Sequence, residues 1–287
     1  MIRRTDDLAV AARDAFDAII DVRSPGEFAE DHIPDAVNLP VLDDAQRAAI
    51  GTEYVQGSKF LARRRGAALV ARNIAAHLDG PLGDYGGGFR ALVHCWRGGQ
   101  RSGAMAEVMA QVGWPVTVLD GGYQTWRRRV AAALYDQTLA HRLILLDGPT
   151  GVGKTALLSA LSGAGAQTLD LEGLAGHRGS VFGATPGGQP GQKRFESGLY
   201  DALARLDPAR PVLVEAESSR IGRRVLPPAV WTAMSAAPVI ALSAPPEVRV
   251  ARLVADYAGI AADPAALEAA LAALPRHLSK ADRAEWR

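Results

Sequence analysis

Two side chains stand out by type, surroundings and rarity as able to do chemistry. Cys95 is the single cysteine, and Lys154 is one of four lysines set against 28 arginines. Cys95 closes the apolar run Ala91-Leu92-Val93-His94-Cys95. Trp96-Arg97-Gly98-Gly99-Gln100-Arg101-Ser102 follows, ahead of a stretch with helical spacing. Adjacent glycines let successive backbone N–H groups turn inward on one anion. The helix start adds positive potential, and Arg97 and Arg101 add formal charge. All of this lowers a thiol pKa and makes a thiolate nucleophile, so Cys95, Arg97 and Arg101 form the first candidate catalytic set. The structural alternative is a small buried cysteine ending a core strand; the paired glycines and arginines argue for chemistry.

The second centre is Gly148-Pro149-Thr150-Gly151-Val152-Gly153-Lys154-Thr155, a full G-x4-G-K-T sequence between an apolar run and a helical one. In that context the backbone of Gly148, Thr150, Gly151, Val152 and Gly153 can wrap a diphosphate, Lys154 neutralises its outer oxygens, and Thr155 can hold Mg2+. A compact ammonium suits the curled loop better than a guanidinium fork, which gives meaning to a lysine here in an arginine-rich chain. The partner acid is open between Asp170, Glu215 and Glu217; Glu215 ends an apolar run, and Glu217 lies two residues on, on the same strand face. No motif for adenine or guanine is present, so a phosphate grip is better supported than nucleotide hydrolysis.

These centres need strands and helices to hold them. Buried strands are expected at Ala18–Val22, Ala91–Cys95 and Val116–Leu119, with a helix over Gly103–Val112. A long helix with a basic start is expected over Trp126–Ala140. A second series of strands begins at Arg142–Asp147 and continues at Gln167–Leu171, Val212–Glu215 and Val239–Leu242. Gly183–Gly191 reads as a loop and Ala261–Leu274 as an alanine-rich helix ahead of a polar tail. Strands alternating with helices predict an α/β fold of two parallel-sheet domains. Their expected bounds are 1–130 and 142–287, with a linker helix over 131–141. One cysteine excludes an intrachain disulfide and a Cys-based zinc site. No apolar run approaches the roughly 18 residues of a membrane helix, and no signal peptide opens the chain, so a soluble cytoplasmic protein is expected. The formal charge of +1 announces no nucleic-acid field but leaves room for local patches. Arg63-Arg64-Arg65 and Arg127-Arg128-Arg129 are candidates for one, against the alternative of solvated helix faces. Asp21 and Arg23 read as a structural ion pair, and His32 and His94 as hydrogen-bonded structural histidines. Trp96 reads equally as a base-stacking platform, a lid over the thiolate, or packing.

His94-Cys95-x5-Arg101-Ser102 matches the signature of Cys-dependent phosphatases, but its flanks resemble rhodaneses. Ile20-Asp21-Val22-Arg23-Ser24-Pro25-x-Glu27-Phe28 with His32-Ile33-Pro34-x-Ala36-x-Asn38 is similar to the rhodanese N-terminal motif, and Gly121-Gly122-Tyr123-x-x-Trp126 to the C-terminal one. The second half carries Asp170-Leu171-Glu172-Gly173-Leu174-Ala175-Gly176-His177-Arg178-Gly179-Ser180-x-Phe182-Gly183, then Glu215-x-Glu217-Ser218-x-Arg220-Ile221-Gly222. A rhodanese-like domain followed by a P-loop NTPase-like domain with these motifs resembles the tRNA 2-selenouridine synthases, from about residue 15 to 257; family members usually continue with a longer helical region. The resemblance implies a transferase acting on wobble 5-substituted 2-thiouridine in tRNA, first geranylating sulfur with geranyl diphosphate and then installing selenium from selenophosphate. It implies that Cys95 is the essential rhodanese cysteine and Gly148–Thr155 the Walker A segment. tRNA, and transiently an enzyme that supplies selenophosphate, are the implied partners, with Arg178, Ser180, Arg220, Arg223 and Arg224 as candidate contacts to tRNA phosphates or to the diphosphate; oligomeric state is left open. The alternatives are a sulfurtransferase with a regulatory nucleotide-binding domain, and a Cys-dependent phosphatase.

Overall fold

A computed structural model describes residues 2–273 except Val181 and Pro186. The polar tail expected after Leu274 lies outside the described residues. The chain divides into two compact α/β units, one made of Met1–Ala133 with Glu196–Arg205 and the other of Leu134–Phe195 with Leu206–Arg287.

The first unit is built on five parallel strands: β1 (Ile2–Thr5), β2 (Ala18–Asp21), β3 (Ala36–Asn38), β4 (Ala91–His94) and β5 (Val116–Leu119), in the order β1-β5-β4-β2-β3. The central runs are short and almost wholly apolar because helices cover both faces of a parallel sheet. All four residues of β4 are buried, and Val93, Val116 and Val118 share one core with Met105 and Met109 of the helix Gln100–Val112. Each such side chain contributes roughly 1.5–3 kcal/mol on burial. β1 had no sequence signal, being a half-exposed edge strand that carries Arg3 and Arg4. From β2 the chain goes to β3 on one side and then to β4 on the other, with Asp21 opposite His94. Strand order therefore reverses between β2 and β4, and the crevice at their carboxyl ends is where an open parallel sheet binds ligands. Cys95 emerges there.

The expected helix over Trp126–Ala140 is shorter. Tyr123–Ala131 is helical and passes into a π-helical turn, Ala132–Asp136. Its arginine triplet is largely taken up inside the unit: Arg127 pairs with Glu196, and Arg129 Nη2 donates to Asp6 O at 2.7 Å. The sequence division placed all of 142–287 in one domain, but Glu196–Arg205 packs with the first unit. The cause is a set of buried polar groups. Arg13 pairs with Asp201, Trp126 Nε1 donates to Ser197 Oγ at 3.0 Å, and Ser197 Oγ donates to Asp31 Oδ2 at 2.8 Å. Groups this buried are costly to leave without partners.

The second unit holds the parallel strands β6 (Leu143–Asp147), β7 (Gln167–Leu169) and β8 (Val212–Glu215), the short antiparallel pair β9 (Arg220–Ile221) and β10 (Arg224–Val225), and β11 (Val239–Ala241). The main sheet has the order β11-β6-β8-β7. β7 stops at Leu169, short of the expected Leu171, because Asp170 accepts the Gly173 N–H and caps the helix Leu171–Ala175. The expected helix over Ala261–Leu274 is found at Pro264–Ala273. From β6 the chain runs to β7 beyond β8, and β11 adds on the opposite side, so the order reverses around β6. The loop Gly148–Gly153 leaves the carboxyl end of that strand and enters the helix Lys154–Gly163.

Candidate functional site

The thiol site of the first unit is made by backbone. Cys95 is buried, and burial alone would raise its pKa. Hydrogen bonds outweigh that and hold the thiol below its ordinary value: one from the Ser102 hydroxyl, with Oγ 3.3 Å from Sγ, and others from the N–H groups of Ser102, Arg97 and Gly99. Ser102 Oγ also lies 3.1 Å from Gly99 O, so its single proton serves the carbonyl when Cys95 is a thiol and Sγ when it is a thiolate. The loop is held from behind by the Gly121-Gly122 turn. Gly122 has φ +58°, and a Cβ there would stand 2.3 Å from Cys95 O and 2.5 Å from Gly98 N. That close approach lets Tyr123 N–H donate to Cys95 O at 2.8 Å.

Arg101 departs from its expected role beside the thiolate. It forms a 2.7 Å ion pair with Glu27, which also holds Arg47 at 3.0 Å. The positive character of the loop therefore comes from N–H groups, while Arg97 is exposed and contributes its N–H. Asp21 and Arg23 are the expected buried ion pair, at 2.6 Å, and Arg23 lies 4.0 Å over the Tyr123 ring and donates to Asp31 O. Removing one partner of such a pair costs about 3–5 kcal/mol. His32 is hydrogen-bonded as expected, to Phe28 O at 2.8 Å, and stacks on that ring. His94 is not: neither ring nitrogen has a hydrogen-bond partner. Burial pushes its pKa down against the pull of the Asp21 carboxylate 3.9 Å away, so it is a neutral core group. Trp96 packs at 5.3 Å from Tyr123 and is half-buried.

In the second unit the phosphate loop lines a cavity of about 490 Å3. Gly151 has φ +82°, and a Cβ there would meet Arg249 O at 2.8 Å, so the loop lies pressed against the helix Pro246–Asp256. Lys154 Nζ donates to Gly148 O at 2.9 Å. Three carboxylates line the same cavity: Glu172, Glu215 and Glu217 offer oxygens within 4.8 Å of one another. Burial pushes all three pKa values upward. Glu172 is pushed furthest, to about 8, by burial and by the charges of Glu215 and Glu217. Glu215 is 3% exposed, its Oε1 has no hydrogen-bond partner, and Thr155 and Lys154 partly stabilise its charge. An all-oxygen donor set with an orphaned carboxylate oxygen beside the Thr155 hydroxyl fits a hard divalent cation such as Mg2+.

Arg178 and Ser180 line the cavity. Arg178 donates to Asp256 O at 2.8 Å, and Ser180 Oγ shares a 2.7 Å hydrogen bond with Tyr257 Oη. Arg220, Arg223 and Arg224 do not line it; they sit on and between β9 and β10, with Arg220 and Arg223 exposed. Asp170 is the helix cap described above, adding charge near Glu172 without joining the carboxylate set. Sequence reading missed Arg252, Asp256 and Tyr257, which complete the wall. Their signal was faint: Arg249 and Arg252 at i,i+3 on a helix following the edge strand β11.

The raised pKa of Glu172 has a measurable consequence in metal-free buffer. Its folded-state value, about 8, lies above the unfolded value of 4.5, so the folded state holds the proton more tightly. That contribution is present below the unfolded pKa and is lost as pH rises towards 8. Glu172→Gln should therefore melt at a higher temperature than the wild type at pH 8, with the difference closing towards pH 5. Parallel melting curves across that range would refute the coupling.

Residues 5–129 match the model of the rhodanese-like domain. Residues 141–278 match that of the tRNA 2-selenouridine synthase AAA domain, so the likeness runs beyond residue 257. Over most of its length the chain is similar to the tRNA 2-selenouridine synthases. It is 37% identical over 242 residues to the tRNA 2-selenouridine synthase of Shewanella loihica (strain ATCC BAA-1088 / PV-4), covering 83% of this chain and 64% of that one. The synthase of Sulfurovum sp. (strain NBC37-1) is also 37% identical, over 81% of this chain and 64% of its own. That of Nitrosomonas europaea is 35% identical, over 83% and 63%. The chain thus spans just under two thirds of the length of the curated relatives it matches. Among the described residues, no helix is long and apolar enough to cross a membrane.

Proposed function

We propose that this protein converts wobble 5-substituted 2-thiouridine in tRNA to 2-selenouridine through an S-geranyl intermediate. The observation that carries the reading is the Cys95 site, where a thiol of lowered pKa lies where the N–H groups of Arg97, Gly99 and Ser102 converge. Its support is the second unit's cavity, which joins a phosphate loop to a carboxylate set, and the names of the relatives.

In the first step the thiocarbonyl sulfur attacks C1 of geranyl diphosphate, an S–C bond forms, the C–O bond breaks, diphosphate leaves and the N3 proton of the ring is lost to solvent. Lys154, the loop N–H groups and the lining guanidinium groups of Arg178 and Arg252 stabilise the charge developing on that leaving group. Mg2+, held by Thr155 and the glutamates, would supply further positive charge to the diphosphate when bound. In the second step selenium of selenophosphate bonds to C2, the S-geranyl group leaves as geranylthiol, and water takes the phosphoryl group from selenium as phosphate. The Cys95 loop fits the phosphate-sized end of selenophosphate, with Sγ at its base. An enzyme making selenophosphate must act upstream.

The test is nucleoside mass spectrometry on tRNA bearing 2-thiouridine, incubated with purified protein, geranyl diphosphate and selenophosphate. A mass gain of one geranyl group should appear when geranyl diphosphate is added alone, and 2-selenouridine with geranylthiol when selenophosphate follows. Unchanged 2-thiouridine under both conditions would overturn the reading.

A further inference from the structure

The helical hairpin between β3 and β4, Asp44–Gln56 and Lys59–Asp79, meets the segment that carries Glu27 through the Arg47–Glu27 ion pair and through Asp44, whose carboxylate accepts the Gly26 N–H. Its inner seam is ordinary: Ala62 and Ile74 are buried, and Ile50 lies against Gly66. Its turn is not. Tyr54, Val55, Phe60 and Leu61 crowd the tip with large apolar side chains in solvent, Phe60 being 71% exposed. Cations are interleaved with them. Lys59 Nζ and Arg63 Cζ each stand 5.7 Å from the Tyr54 ring centroid, and Arg63 donates to Tyr54 Oη at 3.4 Å. Phe60, Arg63 and Arg64 follow at i, i+3 and i+4, on one face of their helix.

Internal ion pairs account for two of the hairpin's cations, since Arg65 pairs with Glu53 and Arg47 with Glu27. Lys59, Arg63 and Arg64 have no carboxylate partner among the described residues. Flat aromatic faces set among unpaired guanidinium and ammonium groups suit unpaired nucleotides, whose bases stack and whose phosphates need cations. The net charge of +1 hides this, because the acids that balance it lie elsewhere.

We propose that the hairpin tip is an RNA-binding surface, stacking unpaired bases of the substrate tRNA on Tyr54 and Phe60 while Lys59, Arg63 and Arg64 hold the adjoining phosphates. The proposal rests on the reading of tRNA as substrate and assigns it a contact made by residues that belong to neither anion loop. It narrows the arginine triplet to Arg63 and Arg64 and adds aromatic residues that a charge run alone did not point to.

The experiment measures binding of the full chain to unmodified tRNA by fluorescence anisotropy, from 50 to 200 mM salt, with thermal melting as a control for folding. Phe60→Ala and Tyr54→Ala should each weaken binding about tenfold, as loss of one stacked base does. The Arg63→Glu, Arg64→Glu double variant should weaken it more and lower the slope of log K against log salt by about one per lost phosphate contact. If the wild type binds tRNA and every variant binds equally well, the hairpin proposal falls while the tRNA reading stands. If the wild type does not bind tRNA, both fall. Weakening confined to the charge-reversal variant would overturn the stacking surface. A dimer in sedimentation that Phe60→Ala dissolves, with tRNA binding unchanged, would assign the patch to a second copy of the chain and overturn the proposal.

Discussion

Cys95→Ala should abolish incorporation of selenium into tRNA while S-geranylated 2-thiouridine still forms and accumulates. The thiol is the point on which the hydrogen bonds of the loop converge, and those donors outweigh the burial and hold its pKa below the ordinary thiol value. Alanine leaves the strand, the turn and the helix start in place but removes the polarisable, ionisable atom. A fall of at least about a hundredfold in selenouridine formation is expected, equivalent to roughly 2.7 kcal/mol of lost transition-state stabilisation. Geranylation, which we propose for the other unit's cavity, should proceed at close to the wild-type rate. Nucleoside mass spectrometry of the two-step reaction reads both products in one sample. Normal selenouridine from the variant would remove Cys95 from the mechanism, and loss of both products with an unchanged melting temperature would show that the two steps share the thiol.

The second large effect is expected at Lys154. Its ammonium folds onto Gly148 O at the mouth of the phosphate loop, beside a wall of three carboxylates. Release of diphosphate leaves more negative charge on the departing oxygens than the bound substrate carries, so a cation placed there acts on the transition state. Lys154→Ala should slow geranylation by roughly a hundredfold. Lys154→Arg should rescue little, because a planar fork does not fit a loop that has curled to meet a point charge. Supplied with pre-geranylated tRNA and selenophosphate, the Lys154→Ala protein should still form 2-selenouridine. Normal geranylation by that variant would mean that the loop serves another ligand.

Both centres were legible in the sequence because each is local. A strand, a glycine-rich turn and a helix start follow one another within about a dozen residues at Cys95 and again at Lys154, and local backbone geometry makes both anion loops. What was not legible depends on partners far along the chain. Arg101 has the spacing of an anion-binding arginine, yet Glu27, 74 residues earlier, takes its charge. Arg252, on a helix about a hundred residues downstream, and Tyr257, just past its end, reach the phosphate-loop cavity, and nothing in their local pattern announces it. Glu172 stood in plain view between Asp170 and Gly173, but its place in the carboxylate set arises only when the end of β8 and the short helix after β7 come together. The basic triplets looked alike as strings of arginine; tertiary partners engage Arg127 and Arg129 of one, whereas Arg63 of the other meets Tyr54 of its own hairpin and Arg64 is exposed.

The helix Gln192–Ala204 begins in one unit and, from Glu196, belongs to the other. This sets a limit on how such a protein can be taken apart or reassembled over evolutionary time. A break in the gene between residues 134 and 195 would separate Asp31 and Trp126 from Ser197, and Arg13 from Asp201, stripping buried polar groups of their partners. A rhodanese-like module bounded by the linker would therefore leave with part of its interior missing. Exchange of that module between proteins must carry residues 196–205 with it or replace them, and that requirement ties the two units together in inheritance.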